Sequence, residues 1–292
     1  MTGTAATVFK DLSKTAVSAS ICTFRFYIIK FMLSIMYLQN NMKKAMRPIF
    51  IWISASLAAL WSLVSAAAPA VEDTMAQRVQ ACTACHGAQG KAGPDGYYPR
   101  IAGKPAGYLY NQLMHFRDGN RNYRLMTHMV EPLSPTYLHE LATHFANVSL
   151  PYPPPSPVAA TAQALARGEQ LARVGDKTLQ VPACLACHGK AFTGVQPNTP
   201  GLIGLPRDYI NSQLGAWQSG ARRAASPDCM ADIARSLTPT DVSAVSAWLA
   251  SQPLPADTRP VASLPEPPPL KCGVLMHPAA QPARTAHAGG KP

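Results

Sequence analysis

The sequence predicts an all-α protein in which one small helical domain occurs twice in tandem. Two observations predict it. A set of matching residues recurs along the chain at an almost constant offset, and each copy carries helix-start signals ahead of apolar positions spaced for one helix face. No stretch alternates apolar and polar residues at period two for long enough to suggest a sheet.

The repeat begins with Cys82-Thr83-Ala84-Cys85-His86 and Cys184-Leu185-Ala186-Cys187-His188. Pro99, Ile101, Gly103 and Pro105 are matched by Pro200, Leu202, Gly204 and Pro206. Tyr108, Gln112 and Leu113 are matched by Tyr209, Gln213 and Leu214; Phe116, Gly119 and Arg121 by Trp217, Gly220 and Arg222. Leu133-Ser134-Pro135-Thr136 recurs as Leu237-Thr238-Pro239-Thr240.

Each copy reads as three helices joined by loops. The first is expected from about Asp73 into Cys85, with its counterpart at about 159–174. The middle helix is expected at 106–118 and again at 207–219, with Gly119 and Gly220 as stop signals. The last starts at Ser134-Pro135, with Leu138, Leu141 and Phe145 on one face. Its twin starts at Thr238-Pro239, with Val242, Val245 and Leu249 on the matching face. A hydroxyl cap satisfies free amides at a helix start, and Pro lacks one to satisfy. The expected domains are residues 74–148 and 158–252. A stiff Pro-rich linker at 149–157 (PYPPPSP from Pro151) joins them, and a Pro-rich, mostly irregular tail at 253–292 follows, clasping the second domain.

Ahead of the repeats, Lys43, Lys44 and Arg47 precede an apolar segment at 48–64 and the small residues Ser65-Ala66-Ala67-Ala68. Basic, apolar and small-residue regions in that order form a secretory signal peptide, expected at 42–67 and cleaved near Ala67, which places the mature protein in the periplasm. The apolar run is shorter than the roughly 20 residues that a spanning helix needs. Residues 1–41 precede that signal, so translation is expected to begin at Met42 or Met46; a further anchor is the alternative. Without residues 1–67 the net charge falls from +11 to +5, as seven Lys/Arg and one Asp are lost. Neither that charge nor any helix-turn-helix or aromatic RNA-binding signature supports nucleic-acid binding. Membrane association would come only through a partner or an uncleaved signal.

Cys-x-x-Cys-His is the attachment sequence for c-type haem. Two thiols at this spacing reach the two vinyl groups of one porphyrin, and the following histidine presents an imidazole to the iron. The pairs Cys82/Cys85 and Cys184/Cys187 are therefore expected to hold two covalent haems c, with His86 and His188 as axial ligands. A zinc ribbon needs four close ligands, and a thioredoxin-like dithiol needs a βαβ setting; the repeat offers neither. The second axial ligand should precede the last helix and be Met, the usual choice in electron carriers. Counting back seven residues from Leu133 and Leu237 gives Met126 and Met230. Met129 and His128 are rivals to Met126, whereas Met114 reads as core filler.

These features resemble the dihaem cytochrome c4 family, two class I cytochrome c domains in tandem, over roughly residues 74–252. The resemblance rests on the paired CxxCH motifs, the Pro-Gly-Tyr-Gln-Leu series before and within the middle helix, Gly119-Asn120-Arg121 and Gly220-Ala221-Arg222 after it, and the spacing of the two methionines. It implies a periplasmic carrier, not an enzyme, passing single electrons from a quinol-oxidising complex or dehydrogenase to a terminal oxidase. The alternative is the haem subunit of a periplasmic dehydrogenase complex; a dihaem peroxidase needs an open iron, which matched methionines disfavour. Three features depart from the family pattern: the upstream segment, Cys229 directly before Met230, and the tail containing Cys272. In an oxidising compartment these two cysteines either form a disulfide that ties the tail beside the second haem or remain separate thiols. Arg121 and Arg222 suit haem propionates, Tyr108 and Tyr209 suit either propionates or packing, and His115, His139 and His144 read as surface or packing residues.

Overall fold

The computed structural model describes residues 73–93, 97–155 and 157–276, with isolated helical positions between residues 30 and 56. The chain divides into two units, Met1–Val71 and Glu72–Pro292. Apart from those isolated positions, the expected upstream segment and signal peptide lie outside the described residues, as do tail residues 277–292. Among the described residues no helix is long and apolar enough to cross a membrane.

In the first copy, α1 (Met75–Arg78) and α2 (Gln80–His86) form an almost continuous run that ends on the histidine of the motif. Thr74 starts it by accepting a hydrogen bond from the Gln77 amide. Then come α3 (Ala106–Arg117), α4 (Arg124–Val130) and α5 (Pro135–Ala146). The second copy has α6 (Ala162–Arg173), α7 (Leu185–His188), α8 (Arg207–Gln218), α9 (Cys229–Ser236) and α10 (Pro239–Ser251). The two last helices start as expected. Ser134 accepts from the Tyr137 amide, and Thr238 forms a reciprocal box with Asp241, each with Pro in the first turn.

Four local features differ from the expectation. Short helices α4 and α9, which carry the candidate methionines, stand where loops were expected. The second copy also has two small antiparallel ladders, β1 (Gly175–Asp176) with β2 (Val181–Pro182) and β3 (Gly194–Val195) with β4 (Thr199–Pro200). The first ladder sits between α6 and the second motif, whereas α1 and α2 run directly into the first. Two-residue strands carry no period that a sequence could show.

The second domain has one contiguous core, in which Leu171, Phe192, Ile210, Leu214, Val245 and Trp248 are buried together. The first domain has two smaller clusters, one around Leu109, Ala142 and Phe145 and one around Phe116, Val130 and Leu138. The α6–α10 crossing depends on Gly168, where an added Cβ would stand 2.3 Å from the Ala244 carbonyl oxygen and 2.6 Å from the Trp248 Cβ. Beside it, Arg167 of α6 bridges Asp241 of α10 at 2.7 Å and Asp176 of β1 at 2.8 Å.

Two predictions follow from this crossing. Gly168→Ala should lower stability by about 2 kcal/mol through overpacking, read from the denaturant midpoint. The second concerns acid. The Thr178 hydroxyl and Arg167 hold the Asp176 carboxyl at about 2. Burial pushes the Asp241 carboxyl up, but Arg167 and Thr238 outweigh it and leave it lowered from 3.8. Carboxylates with depressed folded values contribute stability above their unfolded value, and that contribution disappears as pH falls through the folded one. Arg167→Ala should therefore melt below the parent at pH 7, and the two melting curves should converge as pH approaches about 2.

Candidate functional site

Each motif histidine is the last residue of its helix; α2 carries both Cys82 and Cys85, whereas α7 carries Cys187 and is capped by Cys184. His86 and His188 are both buried, at 8% and 7% exposure. The Nδ1 atom of His86 lies 2.7 Å from the Pro99 carbonyl oxygen, and that of His188 lies 2.8 Å from the Pro200 carbonyl oxygen. A carbonyl can only accept, so Nδ1 must carry the proton in both rings. Nε2 is then left with its lone pair, the form in which imidazole binds a metal. Burial pushes both histidines toward the neutral state, although the carbonyl bonds oppose this. The prolines are Pro99 and Pro200, the first matched pair after each motif, so both copies fix the ring in the same way.

The motif cysteines lie against the cores. Cys82 packs on the cluster around Leu109 and Phe145, and Cys184 packs on the second-domain core. Burial raises the Cys82 and Cys187 thiols and pushes Cys184 up to about 12. Among the described residues no group of three or more His, Cys, Asp or Glu is placed to hold a bare metal ion. The four thiols therefore stand as two separate pairs, each next to one neutral imidazole.

Of the three candidates on α4, Met126 is the one packed into the cluster of Phe116, Val130 and Leu138. Met129 is 39% exposed, and His128 is also exposed. Met230, in the first turn of α9, packs against the second core. His139 makes an edge contact with Tyr110 and His144 with Phe145, while His115 is half-buried within α3.

The repeated tyrosines, glutamines and arginines meet across the boundary between the copies. Arg121 donates to Gln112 Oε1 of its own copy at 3.0 Å, and to Gln213 Oε1 at 2.6 Å and the Tyr209 hydroxyl at 3.2 Å of the other. Arg222 mirrors it, donating to Gln213 at 2.8 Å, to Gln112 at 2.9 Å and to the Tyr108 hydroxyl at 3.4 Å. The backbones pair beside them: the Asn122 amide donates to the Ala221 carbonyl and the Arg223 amide to the Asn120 carbonyl, each at 2.7 Å. This is the self-complementary contact of a two-fold interface, built within one chain. Repetition in the sequence exposed these residues, but not that each copy completes the other's bonds.

Arg222 is 5% exposed, and burial together with the neighbouring Arg121 charge lowers its pKa. Among the described residues neither guanidinium has a carboxylate partner. Buried Lys104 Nζ and the Trp217 indole N–H have no hydrogen-bond partner there either. Buried cations and donors without an anion match the propionates of a porphyrin, and paired thiols beside a neutral imidazole match its vinyl groups and iron. The residues present fit covalent haem in both copies. Arg222→Leu should weaken the interdomain ladder, so that one cooperative calorimetric transition becomes two, with each domain's own helices retained by circular dichroism.

No family model matches the chain. It is 41% identical over 188 residues to the thiosulfate dehydrogenase electron acceptor of Thiomonas intermedia, covering 64% of this chain and 86% of that one. It is 35% identical to cytochrome c4 of Thiocapsa roseopersicina, covering 63% of this chain and 95% of the relative. The structure also matches that of reduced recombinant cytochrome c4 from Pseudomonas stutzeri with a TM-score of 0.51 and 29% identity, covering 62% of this chain and 99% of the other. With the two motifs, the neutral imidazoles and the interdomain ladder in place, these similarities settle the family: the chain belongs to the cytochrome c4 family of dihaem electron-transfer proteins.

Proposed function

We propose that this protein accepts single electrons from a periplasmic thiosulfate dehydrogenase and passes them through its two haems to a further acceptor. The observation that carries the donor assignment is the 41% identity to the Thiomonas intermedia electron acceptor across 86% of that protein. Its similarity to cytochromes c4 supports the role of carrier between redox proteins, with a terminal oxidase as acceptor. The order of charged, apolar and small residues at 42–67 supports export, with cleavage near Ala67.

In this reading Cys82 and Cys85 would attach the first haem and Cys184 and Cys187 the second, with His86 and Met126 holding the first iron and His188 and Met230 the second. The haem iron supplies the one-electron Fe(III)/Fe(II) couple. The Pro99 and Pro200 carbonyls hold each imidazole as a neutral ligand and enhance its basicity. Met126 and Met230 would each supply a thioether to the iron of their own haem, and a thioether ligand would favour the reduced state. Arg121 and Arg222 place fixed positive charge between the domains, offsetting propionate charge on both sides. The expected domains, 74–148 and 158–252, are then two equivalent redox modules held by the ladder.

Two outcomes are predicted. Met126→Ala and Met230→Ala should each remove about half of the Met-to-iron charge-transfer band of the oxidised protein, and the double variant all of it. The holoprotein mixed with a thiosulfate dehydrogenase should show both haems becoming reduced when thiosulfate is added. Haems that stay oxidised, but are reduced by a quinol-oxidising complex, would place this chain on the quinol branch instead.

A further inference from the structure

The two haem sites share the motif, the histidine–proline hydrogen bond and the middle helix, and they differ at the segment holding the methionine. Met126 is preceded by Leu125, which is 44% exposed. Met230 is preceded by Cys229, which is disulfide-bonded to Cys272 of the tail, 43 residues further on. Cys272 is buried, so the bond is part of the packed structure and not a surface link.

The tail reaches that point by a fixed path. Its Val261 amide donates to the Gly194 carbonyl at 3.0 Å, and its Val261 carbonyl accepts from the Gln196 amide at 2.9 Å. Those partners lie in and just after β3, which follows the His188 helix. Further on, the Gly273 amide donates to the Pro227 carbonyl at 2.9 Å and the Asn198 side-chain amide to the Val274 carbonyl at 2.8 Å. Gly273 lies so close to the 225–226 backbone that a Cβ there would stand 2.4 Å from both the Ala225 and Ser226 carbonyl oxygens. The tail is thus joined to the loop after the histidine and to the segment before the methionine.

We propose that the Cys229–Cys272 disulfide and its tail form a clamp that positions Met230 on the second iron, a device the first haem site does not have. The proposal rests on Met230 being the axial ligand. A thioether is a weak, displaceable ligand, so its occupancy depends on how firmly its helix is held. α9 has eight residues, too few to be stable alone. Its N-terminus is held by the Asp228 cap, which accepts from the Ala231 amide at 3.1 Å, and by the disulfide one residue before the methionine. Cys229 and Cys272 are therefore positioning residues. Two haem sites with the same ligand types then differ in how firmly the methionine is held: the second is clamped by the tail, and the first has no such tie.

The test is an imidazole titration of the oxidised full-length holoprotein, followed at the Met-to-iron charge-transfer band. The two halves of the band are assigned with Met126→Ala and Met230→Ala. In the parent protein the Met126 half should disappear at lower imidazole than the Met230 half. In Cys272→Ser the Met230 half should yield at about tenfold lower imidazole, with the Met126 half unmoved. Gly273→Val, which lifts the tail but keeps both cysteines, should move the same half in the same direction and carries the test if Cys272→Ser does not fold. Unchanged titrations in both variants would overturn the clamp, as would equal shifts of both halves, which mark a general loss of stability. A full band in Met230→Ala would instead overturn the ligand assignment.

Discussion

The structure depends on a buried imidazole that has nowhere to place its Nδ1 proton except a proline carbonyl. The bond occurs twice, from His86 to Pro99 and from His188 to Pro200, at 2.7 and 2.8 Å. It fixes the tautomer, and the tautomer fixes which nitrogen can bind iron. It also sets the local architecture: the motif helix must end at the histidine, and the following loop must bring the proline back beneath the ring. Glycines with positive φ, Gly87 and Gly189, follow the two histidines and turn the chain sharply there.

A domain of this size buries little apolar surface by itself, and the first copy has only two small clusters. Cytochromes c4, which this chain resembles, carry two covalent haems. The boundary between the copies has a different basis. It is polar, formed by two arginines, two glutamines and two tyrosines that exchange hydrogen bonds across a pseudo-two-fold axis. Such an interface fixes geometry through directional bonds, which suits a protein that must hold two redox centres at a constant separation.

Much of this was legible in the sequence because it is local. Ser134-Pro135 and Thr238-Pro239 mark helix starts that depend only on neighbouring residues. The spacing within Cys-x-x-Cys-His directly reflects the spacing of the vinyl groups. The seven-residue count to Leu133 and Leu237 names Met126 as a candidate ligand, and the structure shows only where it lies: Met126 packs inward, and Met129 is more exposed. Helices α4 and α9 escaped notice because seven or eight residues show barely two turns of periodicity, and their stability comes from packing and caps. The crossed pairing of Arg121 with Gln213 and Arg222 with Gln112 was out of reach for another reason: repetition identifies equivalent residues but not which copy supplies a partner. For Cys229 and Cys272 the sequence left two outcomes open, because pairing across 43 residues is decided by the path of the intervening chain.

The central claim is that two porphyrins are joined to this chain by thioether bonds. Intact mass of the purified, coloured protein after extraction with acidified acetone tests it most directly. The account predicts that the colour stays with the polypeptide, with a mass equal to the mature chain cleaved near Ala67 plus two haems. A colourless polypeptide, or one carrying a single haem, would contradict it.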